Sequence, residues 1–327
     1  MKKTGWLLFC VIAFFWAALP VEAQTESDIE GQASSEIEAQ TQAAALDFGP
    51  IRPPVNYTGL GLSLIFPGGG QFYHGHPVKG GMFLAFEVTA GGIGAYWWAE
   101  SRRRKDVVER FRNDGNSARL AANGDSAALH RAGLNDVWAE RYAFESRSAK
   151  FTAYNATVWM LGGHFFGFME AVGASGLVTS GGERSPVKAG WFAAVPGLGL
   201  GQLYNGYPGK GGLLGGAQIS LAFSAYNQHR LMNHASREYN RMRDSTSNRY
   251  EYRAEHLSYW KGRYDNAFST RNTYLWLGLF TYLYAIFDAV VDANLSDYAD
   301  KIRIEPDLTI GSTGAPSGAA FRVSFGL

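Results

Sequence analysis

The sequence predicts an all-α membrane protein made of two tandem helical-hairpin repeats, with about four transmembrane helices, short surface or re-entrant Pro-Gly segments and a small C-terminal β-hairpin. Three observations predict this class: an amino terminus of the export type, a motif that occurs twice, and 40 glycines in 327 residues. Glycine is normally ~7% of residues, and here it lies beside apolar runs, as it does in membrane helices. The formal net charge of +1 gives no indication of nucleic-acid binding.

The amino terminus has the three parts of a signal peptide. Lys2 and Lys3 precede an apolar stretch over residues 6–19, and Val21-Glu22-Ala23 provides a small-x-small cleavage site. We expect cleavage after this site because the apolar stretch is short for a membrane anchor. The chain's one cysteine, Cys10, lies in this segment, so neither a disulfide nor a cysteine-ligated metal is expected in the mature protein.

A repeated motif divides the rest of the chain into two units. Six identical residues recur at a spacing of 131 positions: Gln71, Tyr73, Gly75, Pro77, Lys79 and Gly80 match Gln202, Tyr204, Gly206, Pro208, Lys210 and Gly211. Each copy follows a short apolar run and precedes a longer one. Because repeated units of this kind are structural building blocks, we expect each unit to form one helical hairpin.

Each unit contains two apolar segments that predict membrane spans: Gly81–Trp98 and Thr157–Val178, then Gly212–Tyr226 and Thr273–Val291. A helix of ~18–22 residues is ~27–33 Å long, which matches the hydrocarbon core of a bilayer. Aromatic residues at the segment ends and the close spacing of Gly163 and Gly167 are typical of membrane helices. A soluble pair of buried helical hairpins stays the alternative, because Gln218 interrupts the shortest segment.

The charge distribution predicts the orientation of the spans. The segment 98–155 contains eleven Lys or Arg residues, and 227–272 contains nine, whereas 24–60 contains one Arg and six acidic residues. The positive-inside rule places both polar excursions in the cytoplasm. The predicted order is a signal peptide (1–23), an acidic flexible periplasmic segment (24–58), repeat 1 (59–180) with its helical excursion (99–153), repeat 2 (190–296) with its helical excursion (227–272), and a tail with the β-hairpin (297–327).

The sequence pattern predicts that the excursions are helical. In the second one, apolar residues recur at helical spacing among charges: Tyr250, Leu257, Trp260, Tyr264 and Phe268. We interpret this stripe as packing against the other excursion, with a partner-binding helix as the second interpretation. Asn123-Gly124-Asp125 predicts a turn that divides the first excursion into two helical stretches.

The motif residues are predicted to have a structural role. Proline and glycine allow a turn at the membrane surface, tyrosine anchors it, and lysine reaches toward lipid phosphates. A phosphate-binding loop is excluded because each lysine is followed by glycine. The residues are Pro67, Gly68, Gly70, Gln71, Tyr73, Gly75, Lys79, Pro196, Gly197, Gly201, Gln202, Tyr204, Gly206 and Lys210.

Polar residues inside or beside the apolar segments form a candidate intramembrane site, because burying a carboxylate in hydrocarbon is costly unless it is paired, neutral or hydrated. They are Glu87, Gln218, Glu170, Asp288 and Asp292. An ion, proton or substrate path between the two units is one interpretation, and local hydrogen bonding near helix ends is the other. A serine-protease site at Ser175 would need a histidine base from another span. His164 is the only histidine in an apolar segment and lies on the same predicted helix, ~16 Å away, so this site is not expected.

The repeated P-G-x-G-Q-x-Y-x-G core at Pro67–Gly75 and, with an insertion, at Pro196–Gly206 resembles a bacterial membrane family known as domain of unknown function 5683. The acidic run from Asp288 to Leu295 is also similar to a late signature of that family, with Asn294 where the family has a histidine. The second copy looks complete, while the first has Ala174 near the position of Asp292. The resemblance implies a helical membrane protein and no activity.

The function that follows is a structural, scaffolding or assembly role in the bacterial cell envelope, with the inner membrane favoured over the outer. A small ion or solute transporter is the alternative, and an enzyme is third because no nucleophile–base pair is visible. Membrane lipids are the expected partners, together with a protein bound through the excursions. No nucleic acid, cofactor, metal or catalytic residue is expected.

Overall fold

The computed structural model describes residues 55–178, 184–244, 253–299, 302–310 and 316–325. The predicted signal peptide, nearly all of the acidic segment and Tyr250 lie outside these residues. Side chains are described from residue 55 to residue 296, apart from the two gaps and Arg253.

Within the described residues the chain forms eight helices and then two strands. They are α1 (Tyr57–Ile65), α2 (Gly69–Tyr73), α3 (Pro77–Ala121), α4 (Ser126–Ala174), α5 (Pro186–Ala193), α6 (Leu200–Tyr204), α7 (Pro208–Asp244), α8 (Arg253–Ala299), β1 (Ile302–Ile310) and β2 (Pro316–Phe325). The strands pair antiparallel, with Ile302 opposite Phe325 and an irregularity between Thr309 and Ile310.

The four long helices form one layer: α3 packs along α4, α4 along α7, and α7 along α8. The shortest of them, α7, has 37 residues and is therefore ~55 Å long. The sequence divided each unit into spans and a separate excursion, but each long helix continues through that boundary without a break. One end of the layer thus contains the apolar segments and the other contains the excursions.

The turn between α3 and α4 lies where Asn123-Gly124-Asp125 predicted it. Asn123 has a φ of 36° and Gly124 a φ of 90°, both in the left-handed region that glycine and asparagine tolerate. The Asp125 carboxylate then accepts a hydrogen bond from Ala127 N at 2.9 Å and caps α4.

The excursion end has an aromatic core formed by three helices. Trp260 of α8 is completely buried and packs edge-on against Phe144 of α4, with a centroid distance of 5.4 Å. Leu257 and Tyr264 pack against the same cluster. The packing interpretation is therefore confirmed for Leu257, Trp260 and Tyr264, whereas Phe268 is 42% exposed.

The helices approach closely where glycine leaves room. A Cβ atom on Gly216 of α7 would lie 2.8 Å from the carbonyl oxygen of Gly162 on α4. On its other side α4 meets α3, where a Cβ on Gly167 would lie 3.1 Å from the Phe83 ring. Such small-residue contacts are common between membrane helices.

By length and composition, α8 is the one described helix that could cross a membrane, over Ala254–Ser296. Only 11% of its most apolar window is buried within the protein. Within the described residues, α3, α4 and α7 are not apolar enough to qualify in the same way, because their apolar segments also contain glycine and polar side chains.

Candidate functional site

Each copy of the motif joins two short helices and then a long helix through corresponding turns. Gly68 and Gly199 directly precede the second short helix, with φ values of 73° and 59°. A Cβ on Gly68 would collide with the backbone of Gly80, and one on Gly199 with the backbone of Gly211. Because only glycine combines this φ with so close an approach, both motifs require it at this position. Further along the turn, Gly75 and Gly206 have φ values of 78° and 84°.

The backbone hydrogen bonds of the two turns correspond as well. His76 N donates to Gln71 O at 2.8 Å, and Tyr207 N donates to Gln202 O at 2.8 Å. Each turn packs against the returning long helix of its own unit, α1–α2 against α4 and α5–α6 against α8. The inserted residues of the second motif lengthen the segment between the short helices, from 66–68 to 194–199, and leave the backbone bonds from Gly68 or Gly199 onward unchanged.

A buried glutamine attaches each turn to its returning helix. Gln71 Nε2 donates to Gly167 O at 2.8 Å, and Gln202 Nε2 donates to Ala285 O at 2.7 Å. Both glutamines are almost completely buried. The accepting carbonyl lies three residues before an acidic residue in each case, so the same helical turn presents an acidic side chain to the motif.

That acidic residue is Glu170 in the first unit, and it pairs with the motif lysine. Lys79 Nζ lies 3.8 Å from Glu170 Oε2. The Glu170 side chain also packs against Gly209, where a Cβ would lie 3.0 Å from the carboxylate carbon. Gly209 is the second residue of α7, and the start of a helix favours a negative charge. Glu170 therefore joins the first unit to the second.

The second unit has a more strongly bonded version of the same pair. Lys210 Nζ lies 3.4 Å from Asp288 Oδ1 and 2.8 Å from Asp292 Oδ2. Gln202 Nε2 adds a 3.3 Å hydrogen bond to Asp288 Oδ2. The first unit has Ala174 four residues after Glu170 and therefore lacks the second carboxylate. Lys210, Asp288 and Asp292 together are called the lysine clamp below.

Glu87 is paired across the helix layer with His164, which the sequence did not indicate. Glu87 Oε1 lies 2.9 Å from His164 Nδ1, while His164 Nε2 lies 3.1 Å from Leu64 O. A carbonyl oxygen can only accept, so Nε2 carries the proton of that bond. The pair is then net neutral whether its other proton belongs to the histidine or to the carboxyl group, which lowers the cost of placing Glu87 in an apolar segment.

The corresponding contact in the second unit shows why the sequence did not indicate the role of His164. Tyr282 occupies the position of His164, and its hydroxyl donates to Ala194 O at 3.0 Å. Both side chains thus hold the end of the first short helix of their unit. Comparison of the two repeats could have indicated this role for His164, but the corresponding residue is a tyrosine and so the two positions do not match in sequence.

The candidate polar residues do not form one continuous group. Gln218 accepts a hydrogen bond from Gly197 N at 2.6 Å, whereas its equivalent, Glu87, binds His164. Glu170 and Asp288 each have their own lysine. Ser175 donates to Val172 O at 2.8 Å, which is a local helix-end bond. In the described part of the chain, no group of three or more His, Cys, Asp or Glu side chains could hold a metal ion.

The fold places two corresponding turns against long helices, with a charged clamp beside the second turn. Residues 182–326 match the model of a family of unknown function, DUF5683. The match begins just before the second motif and leaves the first unit outside it. No curated protein and no solved structure matches the chain.

Proposed function

We propose that this chain is an integral membrane protein of the bacterial cell envelope, with a structural, scaffolding or assembly role. The observation that carries the proposal is the contrast between the two ends of the helix layer. One end contains the apolar segments and the two Pro-Gly turns and is called the turn-site end. There, large apolar side chains of α8 are exposed, among them Phe280 at 62% and Phe287 at 67%. Contiguous exposed apolar surface of this kind marks contact with lipid or another protein.

The proposed spans are the turn-site halves of α3, α4, α7 and α8, over 81–98, 157–178, 212–226 and 273–291. The helices are long enough for this, because a bilayer core of ~30 Å takes up only about half of even α7. Close packing at Gly162, Gly167 and Gly216 supports the arrangement. The two Pro-Gly turns then lie at the periplasmic surface of the bilayer. There the acidic partners of Lys79 and Lys210 neutralise the lysine charges.

The excursion end is the proposed partner-binding part. Its buried aromatic core makes it rigid, and its basic residues orient it to the cytoplasm. At its tip, beside the α3–α4 turn, Leu120 is 88% exposed and Leu129 is also exposed. Two exposed leucines on either side of one turn suit a protein partner better than solvent.

Site-specific photocrosslinking in cells tests this role. A photoreactive amino acid at Leu120 or Leu129 is expected to crosslink to a discrete protein, because the tip is the proposed contact surface. The matched control is Val187 of α5, an apolar residue at the turn-site end whose 69% exposure lies between those of the two leucines. It is expected to crosslink to lipid. A tip that gives no protein adduct, or the same adducts as Val187, would contradict the scaffolding role.

A small transporter is the second candidate, and the Glu87–His164 pair is the observation that favours it. A net-neutral acid–base pair within an apolar segment is a common element of proton-coupled transport. Flux of protons or small cations into proteoliposomes separates the two candidates. The transporter predicts flux that is lost in Glu87→Gln, whereas the scaffold predicts none in either protein.

A further inference from the structure

A cavity of about 390 Å³ lies between α3, α4 and α7, in the excursion half of the layer. It is lined by five cationic side chains and by no acidic one: Lys105, Arg112, Arg147, Lys150 and Arg230. Its volume falls in the range of small-molecule sites. The cavity is separate from both turn sites and takes no part in the contacts described above.

None of these five cations is paired with a carboxylate in the described structure. Lys150 Nζ lies over the rings of Trp98 and Tyr154, at 5.9 and 5.4 Å. Arg230 similarly covers the Phe151 ring at 5.2 Å. These rings orient the two cations toward the cavity and leave their charge uncompensated.

The remaining three cations also form no salt bridge among the described residues. Arg147 donates to His234 Nδ1 at 2.8 Å, and burial, followed by the charge of Arg147, lowers the pKa of His234 to about 4. That imidazole is therefore neutral at pH 7 and leaves the Arg147 charge in place. Lys105 and Arg112 are exposed at the cavity rim.

Other cations of the same helices do have acidic partners. Arg104 binds Glu100 and Glu145, and Arg119 binds Asp136. The cavity, by contrast, brings five cations without a salt bridge onto one concave surface. Five like charges around one concave surface repel each other and create a positive potential that a bound anion would relieve.

The position of the cavity indicates where the anion comes from. Arg230 and Lys150 lie four residues from Tyr226 and Tyr154, and Lys105 lies seven from Trp98. At 1.5 Å per residue Arg112, fourteen residues from Trp98, is ~21 Å beyond the aromatic ends of the proposed spans, whereas the other three cations are ~6–10 Å beyond them. This is the level of lipid headgroups in the cytoplasmic leaflet, where clustered basic residues bind phosphate.

We propose that this cavity binds a phosphate-bearing anion, supplied by the headgroup of an anionic phospholipid. The guanidinium groups of Arg112, Arg147 and Arg230 can each bind phosphate oxygens through two N–H groups. Lys105 and Lys150 add point charges. The phosphate chemistry rests on the cavity alone, and the lipid source rests on the proposed membrane location.

Binding to the purified full-length protein in uncharged detergent tests the proposal. The probes are short-chain phosphatidylglycerol, short-chain phosphatidylcholine and soluble glycerol phosphate, measured by isothermal titration calorimetry. Phosphatidylglycerol is expected to bind, and added salt is expected to weaken it because the contact is electrostatic. Phosphatidylcholine, whose headgroup is zwitterionic, is expected to bind at least about tenfold more weakly.

The decisive variant is Lys105→Gln/Arg112→Gln, which removes two exposed rim charges. Its matched control is Lys261→Gln/Arg131→Gln, which removes the same two residue types at exposed positions outside the cavity. The rim variant is expected to weaken phosphatidylglycerol binding by at least about tenfold, since each charge-assisted hydrogen bond is worth about that much. The control is expected to change it less than about twofold, and circular dichroism confirms that both variants remain folded.

Three outcomes would overturn part or all of the inference. The cavity would be refuted as an anion site if the rim variant and its control lost the same amount of phosphatidylglycerol affinity. It would also be refuted if neither phosphatidylglycerol nor glycerol phosphate bound. Binding of glycerol phosphate as tight as that of phosphatidylglycerol would refute the lipid source and leave a soluble phosphate compound. Flotation of the protein with phosphatidylcholine vesicles tests membrane insertion separately, so failure of the proposed location is distinguishable from failure of the cavity.

Discussion

Replacing Gln202 with methionine is expected to destabilise the protein more than the same change at Gln71. Gln202 donates to Ala285 O and to the Asp288 carboxylate, whereas Gln71 donates to Gly167 O alone. A neutral hydrogen bond contributes about 1 kcal/mol, and one to a charged group about 1.5–3 kcal/mol. Methionine has a similar volume, so repacking adds little. We therefore expect a loss of about 2–4 kcal/mol for Gln202→Met and about 1 kcal/mol for Gln71→Met.

Reversible unfolding of the purified protein in mixed micelles provides the assay. The free energy of unfolding is measured from tryptophan fluorescence and helical circular dichroism, and coincidence of the two signals checks that the transition is two-state. Each variant serves as the other's control, because both change the same residue type in equivalent turns. Equal losses, or losses below about 0.5 kcal/mol in both variants, would refute the conclusion that the glutamines fasten the turns to α4 and α8.

Three further predictions use the same unfolding assay. Lys210→Met is expected to lower the free energy of unfolding more than Lys79→Met, because losing Lys210 leaves two carboxylates without a cation and losing Lys79 leaves one. Equal losses would contradict the lysine clamp. Trp260→Ala is expected to cost about 3–5 kcal/mol, as is typical of a buried aromatic residue, whereas Trp276→Ala, at a 60% exposed position, should cost much less. Burial, then Arg147, lowers the pKa of His234 to about 4, so the unfolded chain binds the proton more tightly. The contribution of His234 is thus complete above pH 6.5 and lost as the pH falls toward 4, and His234→Gln, which does not titrate, should flatten this part of the pH profile.

The features that the sequence predicted are those that local rules determine. The break at Asn123–Asp125 needs only backbone preferences, and the stripe through Trp260 needs only helical spacing. The repeat identified Lys79 and Lys210 as equivalent, and Glu170 and Asp288 likewise, on separate segments of the chain. The sequence therefore contained both halves of each ion pair without indicating that they meet.

The contacts that escaped prediction depend on how separate helices align. Glu87 and His164 lie 77 residues apart, and their contact depends on the register between α3 and α4. The continuity of the long helices was missed because a change of composition at residues 98–99 was interpreted as a structural boundary. A helix has no backbone reason to end there, since no proline or capping residue interrupts it.

Cysteine accessibility tests the central claim, that one end of the helix layer lies in the membrane and the other in the cytoplasm. In a Cys10→Ser background, single cysteines replace Ser117 near the tip of the excursion and His76 at the first Pro-Gly turn, both of which are exposed. A membrane-impermeant maleimide is added to spheroplasts before and after lysis. We predict that His76→Cys is labelled in intact spheroplasts and that Ser117→Cys is labelled only after lysis. Labelling of Ser117→Cys in intact spheroplasts would contradict the account.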